Sequence, residues 1–261
     1  MLSGAGISTE SGIPDYRSPE RLRRPRRPIT FQQFTRSEEQ RRRYWARSAI
    51  GWQAMAGAIP NDGHAALATM ESSGAIEGIV TQNVDGLHQK AGSRKVLELH
   101  GSLESVLCLE CRRITPRSEM QELLLELNPQ LDASAVEIAP DGDADLPERA
   151  IESVRVPVCT SCGGVLKPNV VFFGENVPKE RVERCARAVE DAEVLLVVGS
   201  SLAVMSGMRW VLAAVRAGKP VAIVNDGPTR GDELATLKVA GRLGEALPRL
   251  AHELEAGAAA A

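Results

Sequence analysis

Residues 81–101, TQNVDGLHQKAGSRKVLELHG, set polar chemistry between two short apolar runs. Ile79-Val80-Thr81 reads as the end of one strand, and Val96-Leu97-Glu98-Leu99 as a second that stops at His100-Gly101. In an open α/β sheet, ligands sit in the crevice beyond the carboxyl ends of the strands. Gln82, Asn83, Asp85, His88 and His100 are therefore placed to meet one. A lone His or Asn at a strand end is ordinarily solvated or caps a turn; this many in one stretch bracketed by strands point to a working surface.

Working outward, residues 193–199 (EVLLVVG) and 220–225 (PVAIVN) are continuous apolar runs of the kind buried on both faces of a parallel sheet. Residues 208–217 read as a crossover helix between them. Strand, Gly199-Ser200-Ser201 turn, helix and strand make a βαβ unit, so the fold class is α/β. Further helices are expected over 37–55, with Ser37 as N-cap, and over 64–73, 179–191 and 244–255, the last followed by a disordered alanine tail. The chain opens on Leu2-Ser3-Gly4-Ala5-Gly6-Ile7-Ser8, a glycine turn that lets a backbone approach a pyrophosphate closely. Such a turn ordinarily follows a buried strand of about 5 or 6 residues. Too little chain precedes Gly4 for that, so the first strand reads as missing.

At 261 residues with 43% hydrophobic content, the chain can form one large domain with an insertion, or two domains. A net charge of -3 gives no global case for nucleic acid or membrane binding. The arginines of residues 17–47 and the acidic residues of 119–152 each read as a solvated face. No apolar run reaches the roughly 18 residues needed to span a bilayer, and the N-terminal residues lack the regions of a signal peptide. The expected location is cytoplasmic.

Two Cys-x2-Cys pairs, Cys108/Cys111 and Cys159/Cys162, stand apart from Cys185, which reads as core packing. Two thiolates on a tight knuckle grip one edge of a tetrahedron, and a second pair closes it around Zn²⁺. Four thiolates leave no position for water or substrate, so the zinc is structural. The spacer between the pairs is long. It carries Asn128-Pro129 and an acidic 140–143 loop (PDGD), which together suggest an inserted module with a mobile tip.

GAGIS with SGIPDYR, TQNVDGLH, His100-Gly101, the two cysteine pairs, KPNVVFFGE, VVGSSLAV and the Ile223-Val224-Asn225 strand end together resemble the sirtuin family, in that family's order and over nearly the whole chain. Tyr16, RYWARSAIGW, VLCLEC, APDGD and GPTR resemble its class II branch, which includes a mitochondrial lipoamidase and ADP-ribosyltransferase. The resemblance implies a Rossmann-like NAD+-binding part over 1–104 and 165–250, and a zinc-binding module over about 105–164. The acylated lysine of a protein substrate would enter between them.

It implies as well an NAD+-dependent deacylase. In that reaction the acyl oxygen attacks C1′ of the nicotinamide ribose as nicotinamide leaves. The ribose 2′-hydroxyl then attacks the acyl carbon, and water releases free lysine and O-acyl-ADP-ribose. By the same match His100 is the base, which suits an imidazole with an unperturbed pKa of about 6.5. Asn83 and Asp85 take the nicotinamide carboxamide and ribose, with Gln82 and Val84 beside them. Gly4, Ala5, Gly6 and Ile7 line the diphosphate, and Asp15, Tyr16 and Arg17 form a loop over nicotinamide. Gly199, Ser200, Ser201, Asn225, Asp226, Gly227 and Leu243 complete the cofactor set. Val170, Val171, Phe172, Phe173, Gly174 and Glu175 form the peptide channel, where an extended substrate can add as a strand. His88 has no catalytic role in the family and falls to scaffold.

Tyr44 and Arg47 share one helix face at i, i+3 and resemble the pair that recognises acidic acyl chains in the desuccinylase branch. A phenol and a guanidinium there could share a carboxylate; an arginine beside a packed tyrosine is the plainer alternative. Two rival functions remain. A nicotinamide dehydrogenase would want an acidic residue about 20 positions after the glycine turn, where this chain has RRPRRP. A non-catalytic NAD-binding protein follows if the first strand is truly absent. ADP-ribosyl transfer and lipoamidase activity on the same site stay open.

Overall fold

The computed structural model describes residues 1–16, 28–131, 146 and 148–260. In chain order the elements are β1 (Leu2–Ser3), a 3-10 helix (Ala5–Ser11), α1 (Phe31–Arg36), α2 (Glu38–Gly57), α3 (Asp62–Ser72), β2 (Ile79–Thr81), α4 (Leu87–Lys90), β3 (Val96–Glu98), β4 (Gly101–Cys108) and β5 (Ile114–Pro116). There follow α5 (Arg117–Leu127), α6 (Glu148–Glu152), β6 (Leu166–Val170), α7 (Lys179–Asp191), β7 (Leu195–Val198), α8 (Met205–Arg216), β8 (Val221–Asn225), a second 3-10 helix (Asp232–Leu234), β9 (Leu237–Ala240) and α9 (Leu243–Ala260). The last helix carries the alanine run through Ala260, where the sequence suggested a disordered tail.

The chain divides into two compact units, one of Met1–Arg17, Ile59–Leu99 and Val177–Ala261, the other of Ser18–Ala58 and His100–Asn176. The second is drawn more widely than a 105–164 module, because α1 and α2 join the same apolar core as the cysteine-bearing segments.

The first unit holds a parallel sheet in the order β3-β2-β1-β7-β8-β9. With β4 to β6 set aside as an insertion, this is the 3-2-1-4-5-6 order of a dinucleotide-binding sheet, and the order reverses between β1 and β7. The first strand is therefore present, contrary to the sequence reading, and it is the central one. It succeeds with two residues because both neighbours hold it: Leu2 pairs with Val80 and Val197, and Ser3 with Thr81 and Val198. Flanking backbone extends the ladder, from Val80 N–H to Met1 O (2.8 Å), Gln82 N–H to Ser3 O (3.0 Å) and Gly4 N–H to Val198 O (3.1 Å). Apolar clusters pack about this sheet, one containing Leu2, Val197, Ile223 and Cys185, another Ile7, Leu67, Val198 and Leu247. Cys185 is core, as the sequence suggested.

The second unit holds an antiparallel sheet, β5-β4-β6. Its core joins Phe34, Tyr44, Trp45, Val106, Met120, Leu124 and Phe172 with the ligand-type residues Cys108 and Cys159. Ser37 caps α2 as expected, its hydroxyl accepting the Gln40 N–H at 3.2 Å.

Candidate active site

The cofactor-type residues of the first unit gather at the reversal between β1 and β7. Two glycine turns interlock there, main chain against main chain. Gly6 N–H donates to Gly199 O at 2.8 Å. A Cβ on Gly4 would come within 2.7 Å of Ser200 Cβ, and one on Gly6 within 2.9 Å of Gly199 O. Gly199 is left-handed at φ +58, and a Cβ on it would stand 2.5 Å from Ile7 N and 2.7 Å from Leu243 Cδ1. Only glycine satisfies such approaches, and the Gly4, Gly6, Ile7 and Gly199 amides are spent in holding the two turns together and to the sheet. Ser200 Oγ accepts the Gln82 side-chain amide at 2.7 Å, and Asn225 Nδ2 donates to Gly227 O at 3.1 Å, fixing the turn after β8.

Beyond β2, Asn83 Nδ2 donates to Ser8 Oγ (3.0 Å), and Ser8 Oγ donates to Asp85 Oδ2 (2.7 Å). Asp85 Oδ1 accepts the Leu87 N–H at 3.0 Å, which caps the short α4. Asp85 is 6% exposed, so each oxygen keeps at most one free lone-pair direction toward a ligand. Tyr16 is exposed and Asp15 half-buried near the start of the segment outside the described residues, which takes in Arg17; the acidic 140–143 tip lies outside them as well. His88 is buried, with Nε2 2.8 Å from Ser3 Oγ.

Sequence reasoning overlooked Ser8 and Asn61. Asn61 caps α3 and donates to Ile7 O (2.7 Å) and Ser11 Oγ (3.0 Å), pinning the glycine turn to α3. The serine of GAGIS was the only signal for the first; nothing local marks the second.

In the second unit, His100 immediately precedes β4. Its carbonyl accepts the Val171 N–H at 2.7 Å, and Gly101, at φ +82, pairs with Val170. The main chain at His100 is thus tied to the 170–175 segment. That segment is braced by a residue the sequence reading passed over. The Lys167 ammonium, with its side chain 3% exposed, meets the Glu175 carboxylate at 2.9 Å and Val170 O at 2.5 Å, 4.7 Å from the Phe172 ring centre. Glu175 also accepts the Phe172 N–H at 2.8 Å, so its carboxylate supports the 172–175 turn. Phe172 lies against Phe34 and Tyr44, ring centres 5.1 and 5.3 Å away. Tyr44 is buried among Phe34, Trp45 and Phe172, while Arg47 on the same helix is half-buried.

The four expected cysteines converge, with every pair of Sγ atoms within 4.8 Å. Cys108 and Cys162 are 3.5 Å apart, Cys111 and Cys159 3.7 Å. A tetrahedral Zn–S₄ site with Zn–S near 2.3 Å has S···S edges of about 3.8 Å, which these two edges approach, so the set fits zinc. The knuckles match: Arg112 N–H donates to Cys108 O, Gly163 N–H to Cys159 O, and Arg112 and Gly163 are both left-handed. The second knuckle's amides, Ser161 N–H first, bring the Cys159 thiol down to about 6. The four thiolates hold a structural zinc.

The Sir2 family model matches residues 4–206. The chain belongs to the Sir2 family. This sirtuin is 55% identical to NAD-dependent protein deacetylase 1 of Streptomyces coelicolor, over 97% of the chain and 85% of that protein. It is 51% identical to the human mitochondrial NAD-dependent protein lipoamidase sirtuin-4, over 95% of the chain and 80% of that protein. Among solved structures, a complex described as Sir2-p53 peptide-NAD+ superposes at TM-score 0.78 with 35% identity, covering 97% of this sirtuin and 92% of that chain.

Proposed function

We propose that this sirtuin is an NAD+-dependent protein-lysine deacylase that yields nicotinamide, free lysine and O-acyl-ADP-ribose. The observation that carries this reading is the pair of interlocked glycine turns at the strand-order reversal, with Asn83, Ser8 and Asp85 linked beside them. In this reading the diphosphate lies against the two glycine turns, and Asn83 presents amide donor and acceptor to the carboxamide of nicotinamide. His100 accepts a proton from a ribose hydroxyl, and the Lys167-braced segment receives the acyl-lysine backbone. The relatives named deacetylases, and the solved complex with peptide and NAD+, support the same assignment. A cytoplasmic setting suits it, since four unpaired thiols in one site need a reducing compartment; no helix among the described residues is long and apolar enough to cross a membrane.

A second reading, removal of lipoyl groups, is favoured by the 51% identity to the human lipoamidase. Purified protein incubated with NAD+ and a panel of acetyl-, glutaryl- and lipoyl-lysine peptides tests both. Nicotinamide release that depends on the acyl peptide supports deacylation, and the peptide turned over fastest names the acyl class. Nicotinamide release without loss of any acyl group would replace the reading by ADP-ribosyl transfer. In the same panel, Arg47→Ala should slow glutaryl turnover selectively if Arg47 meets an acidic acyl chain.

A further inference from the structure

Two histidines that the proposed chemistry does not use lie side by side in the first unit. His64 and His88 are 0% and 1% exposed, and their ring centres are 5.0 Å apart. Their hydrogen bonds fix where the protons sit. Asn61 N–H donates to His64 Nδ1 at 3.4 Å, which puts the proton of a neutral ring on Nε2. Ser3 Oγ donates to Thr81 Oγ1 at 2.9 Å, so it accepts from His88 Nε2 at 2.8 Å, and that ring keeps a bare Nδ1. The two ring nitrogens without a partner are His64 Nε2 and His88 Nδ1, one a donor and the other an acceptor. Orphaned buried polar atoms are rare and costly, and this pair is complementary.

We propose that Asn61, His64, His88, Ser3 and Thr81 form one directional hydrogen-bond chain, closed between the two rings directly or through one water, that positions Asn83. The far end of the chain supplies the link: Thr81 Oγ1, already fixed by Ser3, accepts the Asn83 N–H at 3.1 Å. The chain starts at Asn61, which also holds the glycine turn through Ile7 O. One set of bonds thus ties the diphosphate turn to the residue assigned to nicotinamide. The groups facing the rings are Asp85, whose charge favours protonated His64, and the rings themselves, each disfavouring charge on the other. Burial outweighs the pull of Asp85 and holds His64 down to about 4; burial, with repulsion from His64, holds His88 to about 3, so the chain stays neutral.

His64 and His88 are positioning residues here, and the role rests on the proposed NAD+ site. Two measurements test it. Long-range ¹H–¹⁵N spectra of the imidazoles at pH 6, without NAD+, should show both rings neutral with the proton on Nε2; an Nδ1–H or charged form of either ring overturns the chain. NAD+ affinity by calorimetry should weaken roughly tenfold in His88→Leu, the equivalent of one hydrogen bond. His88→Gln, which keeps an N–H toward Ser3, should recover most of it. A His88→Leu protein that melts lower yet binds NAD+ as before makes His88 merely structural and overturns the role. Should His88→Leu not fold, Ser3→Ala breaks the same link with the loss of one oxygen and is read by the same NAD+ titration. Wild-type protein that fails to bind NAD+ sinks the proposed function and the positioning role with it, whereas the tautomers decide the chain itself.

Discussion

Three histidines of this chain have different surroundings. His100 is half-buried immediately before a strand. His100→Tyr should lower kcat/KM for acyl-peptide turnover by about 10² to 10⁴, the usual worth of a general base, with NAD+ still bound. Nicotinamide release at several peptide concentrations checks it, and full activity would remove His100 from the base role. His64 and His88 are buried neutral, with folded pKa values of about 4 and about 3, below the unfolded value of 6.5. The unfolded chain takes up protons first as pH falls. Their contribution to stability is intact above pH 6.5, erodes between about 6.5 and 4, and has levelled off below about 3. At about 1.4 kcal/mol per pH unit, the loss is on the order of a few kcal/mol for each ring. Melting curves from pH 7.5 to 4.5 should therefore fall more steeply for wild type than for a His64→Gln/His88→Gln variant.

At the scale of elements, the site depends on turns and braces more than on long strands. Gly199→Ala puts a methyl group 2.5 Å from Ile7 N at a left-handed residue. It should cost about 1 to 3 kcal/mol of stability and weaken NAD+ binding at least severalfold, both read from thermal shift with and without NAD+. Lys167→Met removes the buried partner of an ion pair whose carboxylate, on Glu175, is 23% exposed and keeps the Phe172 N–H. About 1.5 to 3 kcal/mol of destabilisation is expected, together with a raised KM for peptide and an unchanged KM for NAD+. Glu175→Gln in the same background should recover part of the stability.

The elements that sequence reasoning found were those with an apolar run, an amphipathic period or a cap: β2, β3, β7, β8, α3, α7, α8, α9 and α2 with its Ser37 cap. β1 was hidden because two residues carry no periodicity, and its strand character comes from neighbours far along the chain. β9 was hidden for the opposite reason: all four of its residues are exposed, and only pairing with β8 makes it a strand. The site divides the same way. The cysteine pairs and the glycine turns advertise themselves by spacing, whereas Asn61 and Lys167 act through backbone carbonyls and the half-buried Glu175 carboxylate, which no local pattern reveals.

For the whole molecule, the metal stands in for core in the second unit, since the cysteine knuckles supply Cys108 and Cys159 to its apolar cluster. Removing zinc with a strong chelator, or replacing the exposed Cys111 by Ser, should release one zinc per chain and lower the melting temperature. Metal analysis and calorimetry check this; zinc-finger peptides derive roughly 10 to 16 kcal/mol from the metal. NAD+ should still bind to the first unit, because none of the residues in its glycine turns belongs to the second.

The two-residue central strand also sets a schedule for synthesis. Leu2 leaves the ribosome long before one of its two partners, Val197, which follows only after the whole insertion has been made. Until then β1 can pair on one side alone, and Gly6 has no Gly199 carbonyl to receive its amide. Pairings this distant are slow to form. The cofactor cradle is therefore among the last parts of the nascent protein to acquire its shape, and the second unit, complete by Asn176, can take up its metal before the first has a finished sheet.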